Sequence, residues 1–285
     1  MSDYQYIASA KDFTAWLDAL PSGETLIAVD LEAEFNLHVY GEHFCLLQVF
    51  DGQRAAAVDP QTVPIELIKG FLEDPRFKKI VYDCSSDRLL LYRNHQILMG
   101  NLCDLRVAVR LLELPRQGLG SVLEDQLGIE PEQGKKRFQQ YNWMQRPIHR
   151  QALAYAIDDV RHLFTLRDRL ISQLQEKDLM EKFQQENAAI QAEAPQTDRK
   201  PGILRGSKVR FFKPGQMRLL ENLHGMREET AKQLNLPPNS VFPNKDLLAL
   251  AQGKIKATAV QRPRSVDHQS FAALVQQFLQ AVKGR

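Results

Sequence analysis

Asp30 and Glu32 close the apolar run from Thr25 to Asp30. That run is rich in β-formers and follows the breaker sequence Pro21-Ser22-Gly23, so it reads as a buried strand. Side chains two apart on a strand share a face, which sets two carboxylates side by side at the end of a hydrophobic element. Two like charges there are costly unless a cation, or a proton shared between them, neutralises the cluster. The same pattern also describes a strand that simply ends in water. Three more acids have spacings that bear on the choice. Asp87 follows the strand-like Lys79–Asp83 and stands at the start of a helical stretch, where a carboxylate is also an ordinary helix cap. Asp104 opens a second helical stretch in the same way. Tyr155 and Asp159, four residues apart in a helical run, lie on one helix face.

The elements that must position these groups follow from the hydrophobic pattern. After the 25–30 strand come Phe44–Phe50, the hairpin signal Asp51-Gly52, a return strand near Ala55–Val58 and the break at Asp59-Pro60. A helical stretch over 64–72 leads to the strand 79–83. Helical periodicity then takes over at 87–95, 104–113, 119–127 and in one long run from about 150 to 190. Strands first and helices later predict an α/β fold, with a mixed sheet flanked by helices rather than a fully parallel one. The polar, Pro-containing segment Gln191–Gly202 reads as a linker, and helical patterns near 214–235, 244–252 and 267–282 form a small all-helical domain beyond it.

The 285 residues carry a net charge of +2, which hides an asymmetry. Residues 1–200 hold 23 Lys+Arg against 30 Asp+Glu, and residues 201–285 hold 14 against 5. A basic tail on an acidic body suggests a polyanionic partner. No stretch approaches the 18 or so apolar residues of a membrane span, and the N-terminus shows no secretory pattern. The three cysteines, Cys45, Cys84 and Cys103, have no C-x-x-C spacing, so neither a zinc site nor a disulfide framework is expected, and a cytoplasmic setting is.

Taken in order, the motifs resemble the DEDD 3′→5′ exonucleases, and among them the ribonuclease D family. Ile27–Glu32 followed by Gly41-x-x-x-Cys45-Leu46-Leu47-Gln48 is similar to the first motif of the exosome-associated branch. Lys79–Asp87 looks like the second, with Tyr82 where His is usual, and Asn101–Asp104 corresponds to the family's N-L-F-D. Trp143-x-x-Arg146-Pro147 and Tyr155–Leu163 resemble the third. Gly134–Arg137 departs from the D-K pair often found there. In the tail, Arg227–Ala231, Leu236–Val241 and Leu247–Ala251 look like an HRDC domain, with Met226 replacing the expected Trp.

The resemblance implies a ribonuclease H-like exonuclease domain over 1–190, a linker over 191–205 and an HRDC-like domain over 206–285. It implies that Asp30, Glu32, Asp87 and Asp159 bind two divalent cations, Mg²⁺ or Mn²⁺, with Tyr155 orienting the attacking water and Asp104 structural. Ala154, five residues before the last Asp, stands where the sister subclass carries His, so the tyrosine subclass fits. The expected activity is hydrolysis of single-stranded or 3′-overhanging RNA from the 3′ end to nucleoside 5′-monophosphates, in RNA maturation or decay. An enzyme for short oligonucleotides or single-stranded DNA, and a catalytically silent nucleic-acid-binding scaffold, are the alternatives.

Overall fold

The computed structural model describes residues 4–130, 138, 140–192, 194–197 and 200–284. The basic stretch Gly134–Arg137 lies outside them. The chain forms two compact units, one of Met1–Ala33 with His43–Thr197 and the other of Glu34–Glu42 with Asp198–Arg285.

The first unit is built on a six-stranded sheet in the order β1-β4-β3-β2-β5-β6. Its strands are β1 (Tyr4–Ile7), β2 (Thr25–Phe35), β3 (Glu42–Phe50), β4 (Ala55–Val58), β5 (Phe77–Val81) and β6 (Leu102–Asp104). β3 and β4 are antiparallel, whereas β1–β4, β2–β5 and β5–β6 are parallel. The sheet is therefore mixed, as the order of patterns along the chain predicts. Asp51 and Gly52 turn the β3–β4 hairpin: Asp51 N–H donates to the Arg54 carbonyl at 3.1 Å, and Gly52 takes φ +94°, which favours glycine.

Strand alternation sorts the core into two layers. Ile27, Val29, Leu31, Leu47, Val49, Ala56 and Val58 face α1 (Ala10–Asp18), α2 (Ile65–Glu73) and α3 (Ser85–His95). Ala28, Ile80 and Cys103 face the other way, against α4 (Leu105–Leu111), α5 (Leu119–Leu127), α7 (Leu163–Glu176) and α8 (Met180–Ala192). Also on that second face, Leu46, Ala55 and Ala57 pack against α6 (Arg150–Arg161). This ribonuclease H-like arrangement commits even-numbered residues of β2 to the layer that holds α6 and α7.

Several elements differ from the sequence reading. β1 and α1 precede the first strand read from the sequence, and β6 is a strand where only a helix start was expected. The run from about 150 to 190 is three helices, broken at His162 and again at Lys177–Leu179, where Asp178 takes φ +56°. β5 ends at Val81, because Asp83 adopts φ +61° and leaves the strand.

The second unit is helical: α9 (Pro214–Leu234), α10 (Pro238–Val241), α11 (Asn244–Ala251) and α12 (His268–Lys283) surround a core that includes Leu220, Leu223, Phe242, Leu247, Leu274 and Phe278. Arg227, buried inside it, donates to the Phe242 carbonyl at 3.2 Å and to Asn244 Oδ1 at 2.6 Å. Asp267 caps α12 by accepting from Ser270 N–H at 2.8 Å.

Candidate active site

β2 carries Asp30 and Glu32 on the face of Ala28, opposite the packed side chains of Val29 and Leu31. The strand continues to Phe35 rather than stopping at the acids, so the pair stands within a strand. Glu34, the next residue in alternation, is used locally: its carboxylate accepts from the Leu37 and His38 backbone N–H groups and meets His38 Nδ1 at 2.9 Å.

α3 supplies Asp87 in its first turn. Asp104 fixes where that turn begins. Its buried carboxylate accepts from the backbone N–H groups of Asp83 at 2.9 Å and Cys84 at 3.1 Å, and it caps α4 through Arg106 N–H at 2.9 Å. One side chain thus ties the start of α3 to the end of β6, the structural role expected of it. Tyr82 is drawn elsewhere, its hydroxyl donating to the Gln117 carbonyl at 2.5 Å.

α6 brings Tyr155 and Asp159. Ala152 and Ala156 pack against Ala55 and Ala57 of β4, and small residues on both sides let a helix lie close to a sheet. The Tyr155 ring packs on Phe138 with centroids 5.5 Å apart, and its hydroxyl donates to the Asp159 carboxylate. The approach to α6 is clamped by Arg146. Its guanidinium forms a fork on buried Asp59 (2.6 and 2.8 Å) and donates to the Trp143 and Cys45 carbonyls, both at 2.7 Å. Tyr6 donates to the same Asp59 carboxylate at 2.5 Å. Arg146 and Pro147 belong to the third motif, but nothing in the sequence pairs Arg146 with Asp59, 87 residues away.

Asp30, Glu32, Asp87, Tyr155 and Asp159 are all half-buried, ringed by protein yet open to solvent. Burial raises the Asp30 carboxyl well above the usual carboxylate range, and the charges of Asp87 and Asp159 push it further. Glu32 is raised by burial and then by Asp30, Asp159 and Asp87. Asp87 is pushed up to about 7 by burial, with Asp83 and Asp104 adding to it. Tyr155 is raised by burial, by the three acids around it and by its bond to Asp159. Asp30, Glu32, Asp87 and Asp159 therefore share one field. Among the described residues no three His, Cys, Asp or Glu side chains stand close enough to share a single cation as placed.

A cluster of oxygen-only donors whose charges oppose one another is the donor set that hard divalent cations take. Gln48 belongs to the same sheet face, on β3 beside β2; it is fully buried, and neither its amide oxygen nor its nitrogen has a hydrogen-bond partner. A buried unpaired amide costs about 1–3 kcal/mol, so this face holds polar capacity that the protein's own contacts do not use. The residues present fit a cation site.

The fold is of the ribonuclease H-like class, and the chain belongs to the 3′→5′ exonuclease family, whose description residues 4–175 match. Residues 216–281 match the HRDC domain. The family is divalent-metal dependent in general. Among relatives, ribonuclease D of Shewanella sp. is 26% identical over 262 residues, covering 90% of this chain and 66% of that protein. Ribonuclease D of Pseudomonas paraeruginosa is 30% identical over 215 residues, covering 73% and 55%. The chain thus spans between half and two thirds of the length of these relatives. The catalytic core of RRP6 from Trypanosoma brucei has the same fold, with a TM-score of 0.79, 20% identity, and coverage of 99% of this chain and 80% of that one.

Proposed function

We propose that the chain is a 3′→5′ exoribonuclease of the ribonuclease D type, releasing nucleoside 5′-monophosphates from the 3′ end of single-stranded or 3′-overhanging RNA. The observation that carries this reading is the shared field of Asp30, Glu32, Asp87 and Asp159, with Tyr155 bonded to Asp159, in a fold of the exonuclease family. The ribonuclease D relatives supply the choice of RNA.

Asp30, Glu32, Asp87 and Asp159 would hold two divalent cations, Mg²⁺ or Mn²⁺. When bound, such cations offset the charge of a phosphodiester and lower the pKa of a coordinated water. Without them four carboxylates repel an incoming phosphate, so these residues bind substrate only as part of a charge-neutral cluster. Tyr155 keeps its proton at neutral pH, because burial and the surrounding acids raise its pKa above its ordinary value near 10. It therefore does not serve as the base. Its proton is committed to Asp159, which leaves the oxygen lone pairs to accept a hydrogen bond from a water and hold it on line. Asp104 and Arg146 act at a distance, fixing the helix starts that carry Asp87 and Asp159.

The test is chromatography of the products from single-stranded RNA with Mg²⁺ or Mn²⁺. Nucleoside 5′-monophosphates are expected from the wild-type chain, and none with EDTA or in Asp159→Ala. Nucleoside 3′-monophosphates, or turnover that survives both treatments, contradict the proposal. RNA binding with no product at all would favour a silent scaffold.

A further inference from the structure

Phe211 is 85% exposed, far more than the other solvent-facing large apolar side chains among the described residues, of which Leu37 reaches 50%. It lies in the segment Arg205–Lys213, which holds four cations (Arg205, Lys208, Arg210 and Lys213) and no acid. The segment is pinned at two points. Val209 is buried in the core of the second unit and Phe212 packs against that core. Turn hydrogen bonds join Phe212 N–H to the Val209 carbonyl at 3.0 Å and Val209 N–H to the Gly206 carbonyl at 3.4 Å. Downstream, Lys213 N–H donates to Gln216 Oε1 at 2.9 Å where α9 begins. Arg210 and Phe211 stand between the two anchors. The Arg210 guanidinium lies 5.6 Å from the centroid of the Phe211 ring.

A lone surface phenylalanine would need no explanation. This one is displayed by a fixed backbone while its neighbour Phe212 packs on the core, and all the charge in its segment is positive. Nucleic-acid bases have π-faces that stack on an aromatic ring whatever the sequence, and the phosphates on either side of a stacked base want cations. An apolar protein partner has no use for four positive charges around its contact. A duplex hides the faces of its bases, so the fit is to an unpaired strand.

We propose that Phe211 is a stacking platform for one unpaired base of single-stranded RNA, with Arg210, Lys208 and Lys213 placed for the adjoining phosphates. The choice of RNA rests on the exoribonuclease reading; the stacking itself does not.

The experiment measures binding of the full chain, in EDTA, to two 5′-fluorescein-labelled 12-mers by fluorescence anisotropy. One is oligoadenylate and the other an abasic ribose-phosphate chain of the same length. Phe211→Ala is expected to weaken oligoadenylate binding about tenfold and abasic binding less than twofold, and Phe211→Trp to restore the preference for bases. Arg210→Gln is expected to weaken both ligands alike and to flatten the slope of log affinity against log salt by about one. An equal loss of both ligands in Phe211→Ala, or no loss of either, overturns the proposal, and the second result would point to a protein partner. Product release by the wild-type chain with Mg²⁺ is scored separately, so failure of the exoribonuclease reading shows as missing mononucleotides and leaves the base-dependent term intact.

Discussion

Tyr155 and Asp87 show most directly how the surroundings of a residue set what it can do. The Tyr155 hydroxyl is held protonated and bonded to Asp159, which suits it to the orienting role proposed for it. Tyr155→Phe removes the oxygen while keeping the ring against Phe138, so kcat should fall by about 10²-fold with little change in melting temperature. A loss below threefold would remove Tyr155 from the chemistry. Asp87 makes a prediction of opposite character. Its carboxyl is raised from an ordinary 3.8 to about 7, chiefly by burial. Between about pH 4 and pH 7 the folded chain retains a proton that the unfolded chain has released. Metal-free stability therefore falls as pH rises through that window, and the full penalty is present above it. In EDTA, Asp87→Asn should melt above the wild type at pH 8, by about 2–4 °C per kcal/mol relieved, and the gain should vanish near pH 4. A variant that melts lower at pH 8 would contradict the burial assigned to this carboxylate. The residue types and spacings of Asp30, Glu32, Tyr155 and Asp159 were legible in the chain, because alternation on a strand and the i, i+4 rule on a helix are local rules. Gln48 was legible only as a motif letter, since its unpaired amide depends on which strands become neighbours.

At the scale of elements, the legible part was whatever the hydrophobic period alone encodes. α5 runs over Leu119–Leu127 as its pattern predicts, and the Asp51-Gly52 turn closes the expected hairpin. β1 was not legible because it is a short edge strand with only Ile7 buried, so its polar positions carry no alternation. The breaks at His162 and Lys177–Leu179 fall without proline or glycine, and the apolar period resumes at once on α7, through Leu163, Leu166, Leu170 and Leu174. The anchoring of α6 was invisible for a different reason: Asp59 and Arg146 are far apart in sequence and meet only in the fold. Breaking that pair strands a guanidinium and the Tyr6 hydroxyl. Asp59→Ala should therefore cost about 3–5 kcal/mol, which lowers the melting temperature by about 10 °C, and should reduce activity by loosening the helix that carries Tyr155 and Asp159. A variant that melts within 2 °C of the wild type would show that the clamp is not what seats α6.

At the scale of the whole molecule, charge is divided unevenly along the chain. The acidic excess lies in residues 1–200, which contain the carboxylate cluster, and the basic excess in residues 201–285, which contain the Arg205–Lys213 display. That asymmetry was plain from composition, and the helical tail from its periodicity. The break at Thr197–Asp198 falls inside the segment read as a linker, whereas the grouping of Glu34–Glu42, from the end of β2 to the start of β3, with the C-terminal unit was not legible. No helix among the described residues is long and apolar enough to cross a membrane. We propose that this molecule shortens RNA from its 3′ end at the cluster formed by Asp30, Glu32, Asp87 and Asp159. The most direct measurement is a time course on 5′-labelled single-stranded RNA resolved at single-nucleotide length, with Mg²⁺ and with EDTA. A ladder that shortens one nucleotide at a time is expected with Mg²⁺, and full-length RNA throughout with EDTA. Immediate release of the labelled 5′ nucleotide, internal cuts, or the same ladder in EDTA would contradict the proposal.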